Sequence, residues 1–180
     1  MSSLLKPDFH GERYGLSYRL VNESDSEFIL SLRTNAWHAR FIHSTDNDLA
    51  KQTEWIKAYK EREKQGRDYY FIYLFKNQPV GVSRVYNIYE YYGTEGSWIC
   101  RPDSEPNAVL ATYMILHDVM FEDLGLDLSV FDVRKDNKKV QRTHKLFGAM
   151  VIGESEIDTY FSIFKKTYFE KREQMRKYLQ

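Results

Sequence analysis

Cysteine is almost missing from this chain: Cys100 stands alone, so no internal disulfide can form. An excess of charge of either sign is missing too. Among 180 residues, 26 acidic side chains balance 26 basic ones, and no net basic field exists to hold nucleic acid. No apolar run is long enough to span a bilayer, and residues 1–15 contain no apolar stretch of signal-peptide length. Internal repeats, low-complexity tracts and interdomain linkers are absent as well. A disulfide scaffold, a bulk-charge nucleic-acid binder and an integral membrane protein are thereby set aside. The expectation is one soluble, cytoplasmic domain over residues 1–180. What is present suits such a domain, since 42% hydrophobic and 16% aromatic residues supply a proper core.

Hydrophobic periodicity divides the chain into alternating elements. Residues 1–14 read as a loose leader, and Leu16–Val21 alternates as a strand. Ser24-Asp25-Ser26-Glu27 has the form of a capping box, opening a helix to about Thr34 with Phe28, Ile29 and Leu32 inward. A second helix runs from about Asp48 to Gln65, stopped by Gly66. Tyr69–Phe75 and Val80–Ile88 form a hairpin about the turn at Lys76–Pro79, and Thr94–Arg101 is a fourth strand. The next helix begins at Ser104 or Glu105 and ends before Gly125, its stripe being Val109, Tyr113, His117, Met120/Phe121 and Leu124. Leu126–Val133 is a fifth strand. A helix from Asn137 follows, then strands near Met150–Glu154 and Thr159–Phe164, then a charged helix over 165–180.

Val133–Gly148 is the segment richest in chemistry. Asn137 suits an N-cap, and Gly148 suits the left-handed position just past a helix end. Val140, His144 and Phe147 recur at helical spacing, so an ionisable imidazole lies on an inward face. His117 shares the apolar stripe of its own helix and reads as structural. Cys100 has no evident activating base and reads as core. No metal site is indicated.

This segment resembles the second motif of the GNAT superfamily of acyl-CoA-dependent N-acyltransferases. The nearest branch holds ribosomal-protein N-terminal acetyltransferases and amino-sugar acetyltransferases. That pattern has Asn, a small residue three on, Tyr four further, then Lys-Leu-Gly-Phe. Here Asn137, Val140 and His144 stand at the first three places, and Phe147-Gly148-Ala149 replaces the ending. The resemblance spans roughly Tyr18 to Phe164 and matches in element order. It implies an α/β fold with a central, mostly antiparallel seven-stranded sheet flanked by helices.

The resemblance also implies a site. Acetyl-CoA would be the co-substrate, its pyrophosphate at the helix start after Trp98–Arg101. The family pattern there falls on Ser104, Asn107 and Val109, with Ala108 between them, Pro106 removing an N–H and Glu105 adding a negative charge. Backbone groups of Ile99 and Arg101 would pair with pantetheine, while Asn137 and Lys138 border it. His144, at the Tyr position, would protonate the departing thiolate, and Glu95 would act as base or hold a water. Trp37, Arg40 and Tyr86 would face the acceptor, with Tyr89, Tyr91 and Tyr92 continuing an aromatic wall. The same aromatics would equally suit a homodimer surface. The expected activity is N-acetylation of a small polar amine, especially an amino sugar nucleotide. A protein N-terminal acetyltransferase and a non-catalytic acyl-CoA-binding protein are the alternatives.

Overall fold

The computed structural model describes residues 4–179. Its elements are β1 (His10–Arg13), β2 (Leu16–Leu20), α1 (Ser26–Thr34), α2 (Ala36–Ala39), α3 (Leu49–Lys64), β3 (Asp68–Phe75), β4 (Gln78–Tyr86) and β5 (Tyr92–Cys100). After these come α4 (Pro106–Asp118), β6 (Leu128–Arg134), α5 (Lys138–Leu146), β7 (Met150–Glu154), β8 (Asp158–Phe164) and α6 (Lys165–Met175). The strands make one eight-stranded sheet in the order β1-β2-β3-β4-β5-β6-β8-β7, in which only β5 and β6 run parallel.

The strand that the sequence did not reveal lies within residues 1–14, which read as a loose leader. His10–Arg13 pairs antiparallel with Leu16–Arg19 across a turn at Tyr14-Gly15, both with positive φ. A tight hairpin gives this short, polar stretch backbone partners that its pattern did not advertise, raising the expected seven strands to eight. The first capping box also sits earlier than expected. Asn22 and Asp25 cap each other reciprocally and open a 3₁₀ turn that leads into α1. The other helix ends are as read: Asp48 caps α3, Asn137 caps α5, and Gly148 follows α5 with φ of 88°.

The central strand β3 explains the layering. Its residues from Asp68 to Tyr73 are all buried, and alternation sends them to opposite faces. Tyr69, Phe71 and Tyr73 join the larger core beneath α4 and α6, while Tyr70 and Ile72 join Ile29, Leu32, Ile56 and Tyr59 of α1 and α3. Helix α4 is buried from Ala111 to Asp118, as expected for a helix enclosed between sheet and a second helix. It continues through a π-helical turn at Val119–Asp123 before reaching β6.

Two irregularities shape the middle of the sheet. β5 and β6 pair only at Tyr92–Thr94 with Leu128–Val130, and beyond that point the strands part. On its other edge β5 slips register against β4 between Val82 and Arg84, and Ser97 there takes φ of 50°, a left-handed conformation uncommon for a non-glycine residue. The sheet is thus opened on one side of β5 and bulged on the other at the same height.

Gly81 holds β4 close against this bulged strand. A Cβ there would lie 2.8 Å from the Ile99 carbonyl oxygen and 2.8 Å from Cys100 Sγ. Backbone cannot swing away as a flexible side chain can, so Gly81→Ala must part the two strands. We expect it to destabilise the fold by roughly 1–3 kcal/mol, the range for overpacking, measured by denaturant unfolding. A variant as stable as wild type would show that the strand pair has slack.

Candidate active site

The parting of β5 from β6 begins at Glu95, the first residue of β5 beyond the paired segment. Its carboxylate is buried, with 5% of the residue exposed, and has three close neighbours. His117 of α4 lies with Nε2 2.7 Å from Oε2, and His144 of α5 with Nδ1 3.3 Å from Oε1. Ser129 of β6 donates its hydroxyl to Oε2 at 3.2 Å. Tyr113 of α4 places its hydroxyl 3.1 Å from the same His144 Nδ1. Three elements, α4, α5 and β6, therefore converge on one ionisable group of β5. A carboxylate in such a place has to be paired, because an uncompensated buried charge is too costly to keep.

Charge assignments follow from the contacts. Burial alone would raise the Glu95 pKa, but the His117 charge and contact, His144 and the Ser129 hydroxyl outweigh it and hold the group below its ordinary value. For His117, burial works downward, and is exceeded by Glu95 and by the Tyr113 carbonyl that faces Nδ1 at 3.0 Å, so its pKa is raised. Both nitrogens of His117 thus face acceptors, the arrangement an imidazolium needs. His144 is different: burial pushes its pKa down to about 4, Glu95 opposing and His117 reinforcing that fall. At neutral pH it is an uncharged imidazole. The nearby carboxylate favours the proton on Nδ1, which leaves the Nε2 lone pair as the free valence.

His144 and Glu95 line a cleft of about 990 Å³ that follows the parted strands. One end is bordered by α4 and α5 through Arg101, Ser104, Pro106, Val109, Asn137 and Lys139. The start of α4 has no side-chain cap, with Pro106 in its first turn and the backbone N–H groups of Asn107 and Ala108 beside it. An uncapped helix start leaves free N–H donors at the positive end of the helix dipole; of the cations beside it, Lys139 lines the cleft and Arg101 is paired with Asp103 at 2.6 Å. The other end carries Arg33, Trp37, His38, Trp55, Tyr70, Arg84 and Tyr86. There Asp68 receives Arg62 at 2.9 Å and Arg84 in two contacts, and Trp55 lies under both guanidinium groups. Arg33 is held by Thr45 and has no carboxylate partner among the described residues.

The expected residues divide accordingly. Glu95, His144, Ile99, Arg101, Val109, Asn137, Trp37 and Tyr86 line the cleft, whereas Asn107, Ala108, Lys138 and Arg40 do not. Arg40 lies over the rings of Trp37 and Phe41 and borders a separate hollow with Arg134 and Lys135. Tyr89 stacks on Tyr92, with Tyr91 tilted against the same ring, and none of the three extends the wall. Arg101 N–H is already bonded to the Val80 carbonyl at 2.8 Å, and strand alternation turns Ile99 the same way. The backbone groups free for a ligand on the open edge are therefore those of Cys100 and Trp98, correcting the expected pair.

From the sequence His117 reads as structural, and no motif marks Tyr113, Arg33, Arg84 or Trp55 as site residues. A signal existed for the first two. Tyr113 and His117 sit one helical turn apart on an apolar stripe, and a buried histidine there requires a polar partner. Arg33 and Arg84 carried none, because their placement depends on how α1 and β4 meet. Among the described residues no group of His, Cys, Asp or Glu is arranged to hold a metal ion, and no helix is long and apolar enough to cross a membrane.

The chain matches an acetyltransferase (GNAT) domain family over residues 16–150. Its structure resembles apo FdhC, described as a nucleotide-linked sugar GNAT, with a TM-score of 0.85 and 33% identity over 96% of this chain and 99% of that one. It also resembles the ribosomal-protein-S5-alanine acetyltransferase of Vibrio fischeri, with a TM-score of 0.75 and 17% identity over 89% of this chain and 99% of that one. RimJ of Mycobacterium smegmatis, solved with CoA-disulfide, gives a TM-score of 0.74 and 16% identity over 89% of this chain and 88% of that one. At the last two identities the likeness concerns the fold alone. No curated protein matches the chain.

The lowered pKa of His144 has a consequence for stability. Unfolded, its ring takes a proton near ~6.5; folded, only near about 4. Unfolding therefore binds a proton between those values, and stability falls as the pH drops through that window. The loss is roughly 3 kcal/mol for this group. Denaturant unfolding of wild type and His144→Phe from pH 7 to 4 measures it: the variant should show a shallower fall. Parallel slopes would mean that His144 does not stay neutral in the fold.

Proposed function

This chain belongs to the GNAT family of acetyltransferases, and from that premise we propose that it is an acetyl-CoA-dependent N-acetyltransferase whose acceptor is the amine of an amino sugar nucleotide. One observation carries the reading: a neutral histidine backed by a buried carboxylate opens onto a single cleft with two unlike polar ends. The end at α4 and α5 suits CoA, with the uncapped α4 start behind the lining residues Ser104 and Pro106 for pyrophosphate and Lys139 as a nearby cation. Asn137 caps the neighbouring helix α5, which Lys138 begins. Acetyl-CoA supplies the activated acyl group; the rest falls to this chain's side chains and backbone.

The step itself is a direct transfer. An uncharged amine attacks the thioester carbonyl, the C–N bond forms and the C–S bond breaks. The free backbone groups of β5 at Trp98 and Cys100 lie where they can hold the pantetheine arm along the open strand edge. His144 enters without a proton, so it does not serve as a standing acid. It takes the proton released by the amine at Nε2 and returns it to the departing thiolate, with Glu95 facing the transient imidazolium at 3.3 Å. Glu95, enclosed and paired, orients His144 and is not the base that first meets the amine.

The acceptor end supports a phosphorylated, flat ligand. Arg33 and Arg84 supply positive charge, while Trp55 and Tyr86 supply rings beside it. A cleft built to take an N-terminal peptide would gain little from guanidinium groups set among aromatics. The likeness to a nucleotide-linked sugar GNAT across nearly the whole chain points the same way.

Acetyl-CoA should raise the melting temperature, by mass action, and added salt should weaken the effect through screening of its phosphates. No shift at millimolar acetyl-CoA would favour a protein without this cofactor. In a thiol-release assay amino sugar nucleotides should outpace N-terminal peptides, and Arg33→Ala should raise the KM of the nucleotide substrate while leaving that of acetyl-CoA alone. Reactive peptides with inert sugar nucleotides would favour a protein N-terminal acetyltransferase instead. His144→Phe should lower kcat by about tenfold or more in the folded protein; undiminished turnover would remove it from the chemistry.

A further inference from the structure

The interior side of Glu95 holds a group that the proposed transfer does not use directly. His117 has no exposed surface and lies behind the carboxylate, away from the cleft lining. We infer that His117 is a positioning residue for the transfer proposed above, on which this inference rests: its charge keeps Glu95 ionised and thereby decides which nitrogen of His144 bears the proton.

The contacts impose this chain of consequences. His117 Nδ1 donates to the Tyr113 carbonyl at 3.0 Å, a bond within its own helix that fixes the ring's direction. Nε2 then meets Glu95 Oε2 at 2.7 Å, an ion-pair contact that is off the line of a straight hydrogen bond. The ring is clamped between Tyr113, with centroids 4.3 Å apart, and Tyr168 of α6, stacked at 5.1 Å. It has no room to turn to another partner.

The other polar groups nearby do not substitute for it. Asp118, next on α4, is engaged by the hydroxyls of Tyr14 and Tyr168 and by Arg172 of α6. From β6, Ser129 brings Glu95 a neutral donor, and from β3 and β4 the phenols of Tyr73 and Tyr86 add no positive charge. His144 on α5 is itself uncharged. His117 is thus the cation that compensates Glu95.

Without that cation Glu95 would become a buried, unpaired carboxylate and would take up a proton. In the native arrangement the Glu95 charge, 3.3 Å from Nδ1, favours a proton on that nitrogen, where the Tyr113 hydroxyl oxygen at 3.1 Å can accept it, and the Nε2 lone pair is left for the amine. A protonated Glu95 no longer exerts that pull. The Tyr113 hydroxyl then donates to Nδ1, and the ring's proton moves to Nε2, where it blocks the base. His117 would act on the transfer without touching either substrate.

Nitrogen-15 spectra of the histidine rings in the whole protein test this without reference to turnover. At pH 7.5 His117 should show both ring nitrogens protonated, and His144 should show the Nδ1–H form. In His117→Phe, which retains the stacking, and in His117→Gln, which retains a donor but no charge, His144 should change to the Nε2–H form. Where turnover is measured, the acid limb of kcat/KM should move up by at least one pH unit in both variants while the KM for acetyl-CoA holds. In a Glu95→Gln background, adding His117→Phe should produce no further move of that limb. A neutral His117 ring at pH 7.5 would overturn the inference. So would a His144 tautomer unchanged in whichever variant folds. A wild-type enzyme inert toward every amine would instead count against the proposed transfer, while the ring spectra would still decide the role of His117.

Discussion

A carboxylate placed where two strands separate cannot remain both buried and unpaired, and much of the middle of this protein answers that constraint. Glu95 occupies the position at which β5 leaves β6. Helix α4 brings His117 from beneath, α5 brings His144 from the open side, and β6 brings Ser129 alongside. A helix–strand–helix order is needed to supply three partners from three directions. The low-dielectric surroundings that make the charge expensive also make its contacts with the two histidines strong. The unequal state of those histidines follows: the carboxylate raises the pKa of one, while burial leaves the other neutral.

The distortion of β5 serves the same place. On a regular sheet β5 would spend both backbone edges on its neighbours. Here the edge toward β6 is released beyond Thr94, and the edge toward β4 slips by one residue around Ser97. Gly81 keeps β4 in close contact just past the slip, where any side chain would meet the Ile99 carbonyl. The outcome is a strand anchored on one side with free backbone groups on the other, lining a cleft between a cationic, aromatic end and a helix start. Strain at Ser97 and an unfinished sheet edge are costs that a merely structural domain would have no cause to carry.

Most of the fold was legible in the sequence for local reasons. Caps and stops are short-range chemistry, so Asp48, Asn137 and Gly148 marked their helix ends correctly. Alternation and helical periodicity located seven of the strands and the long helices. The exception, β1, has a polar sequence whose strand character comes from its partner β2 rather than from its own pattern. Cleft-lining residues were legible where the resemblance pointed to a position, as with His144 and Glu95. Arg40 shows the opposite case. Its proximity in sequence to Trp37 suggested a shared acceptor wall, but the guanidinium folds back over Trp37 and Phe41 and leaves the cleft to Arg33 and Arg84.

By itself the sequence determined the class of the domain, the order of its elements, and the presence of a capped, basic helix carrying an inward histidine. These depend on neighbours within a turn or two of chain, where residue type dictates conformation directly. Only the tertiary structure decided that His117 faces Glu95, that His144 is neutral, and that Cys100 and Trp98 hold the free backbone edge. Protonation states belong to surroundings assembled from distant segments, and a strand's open edge is known only once its partners have been placed.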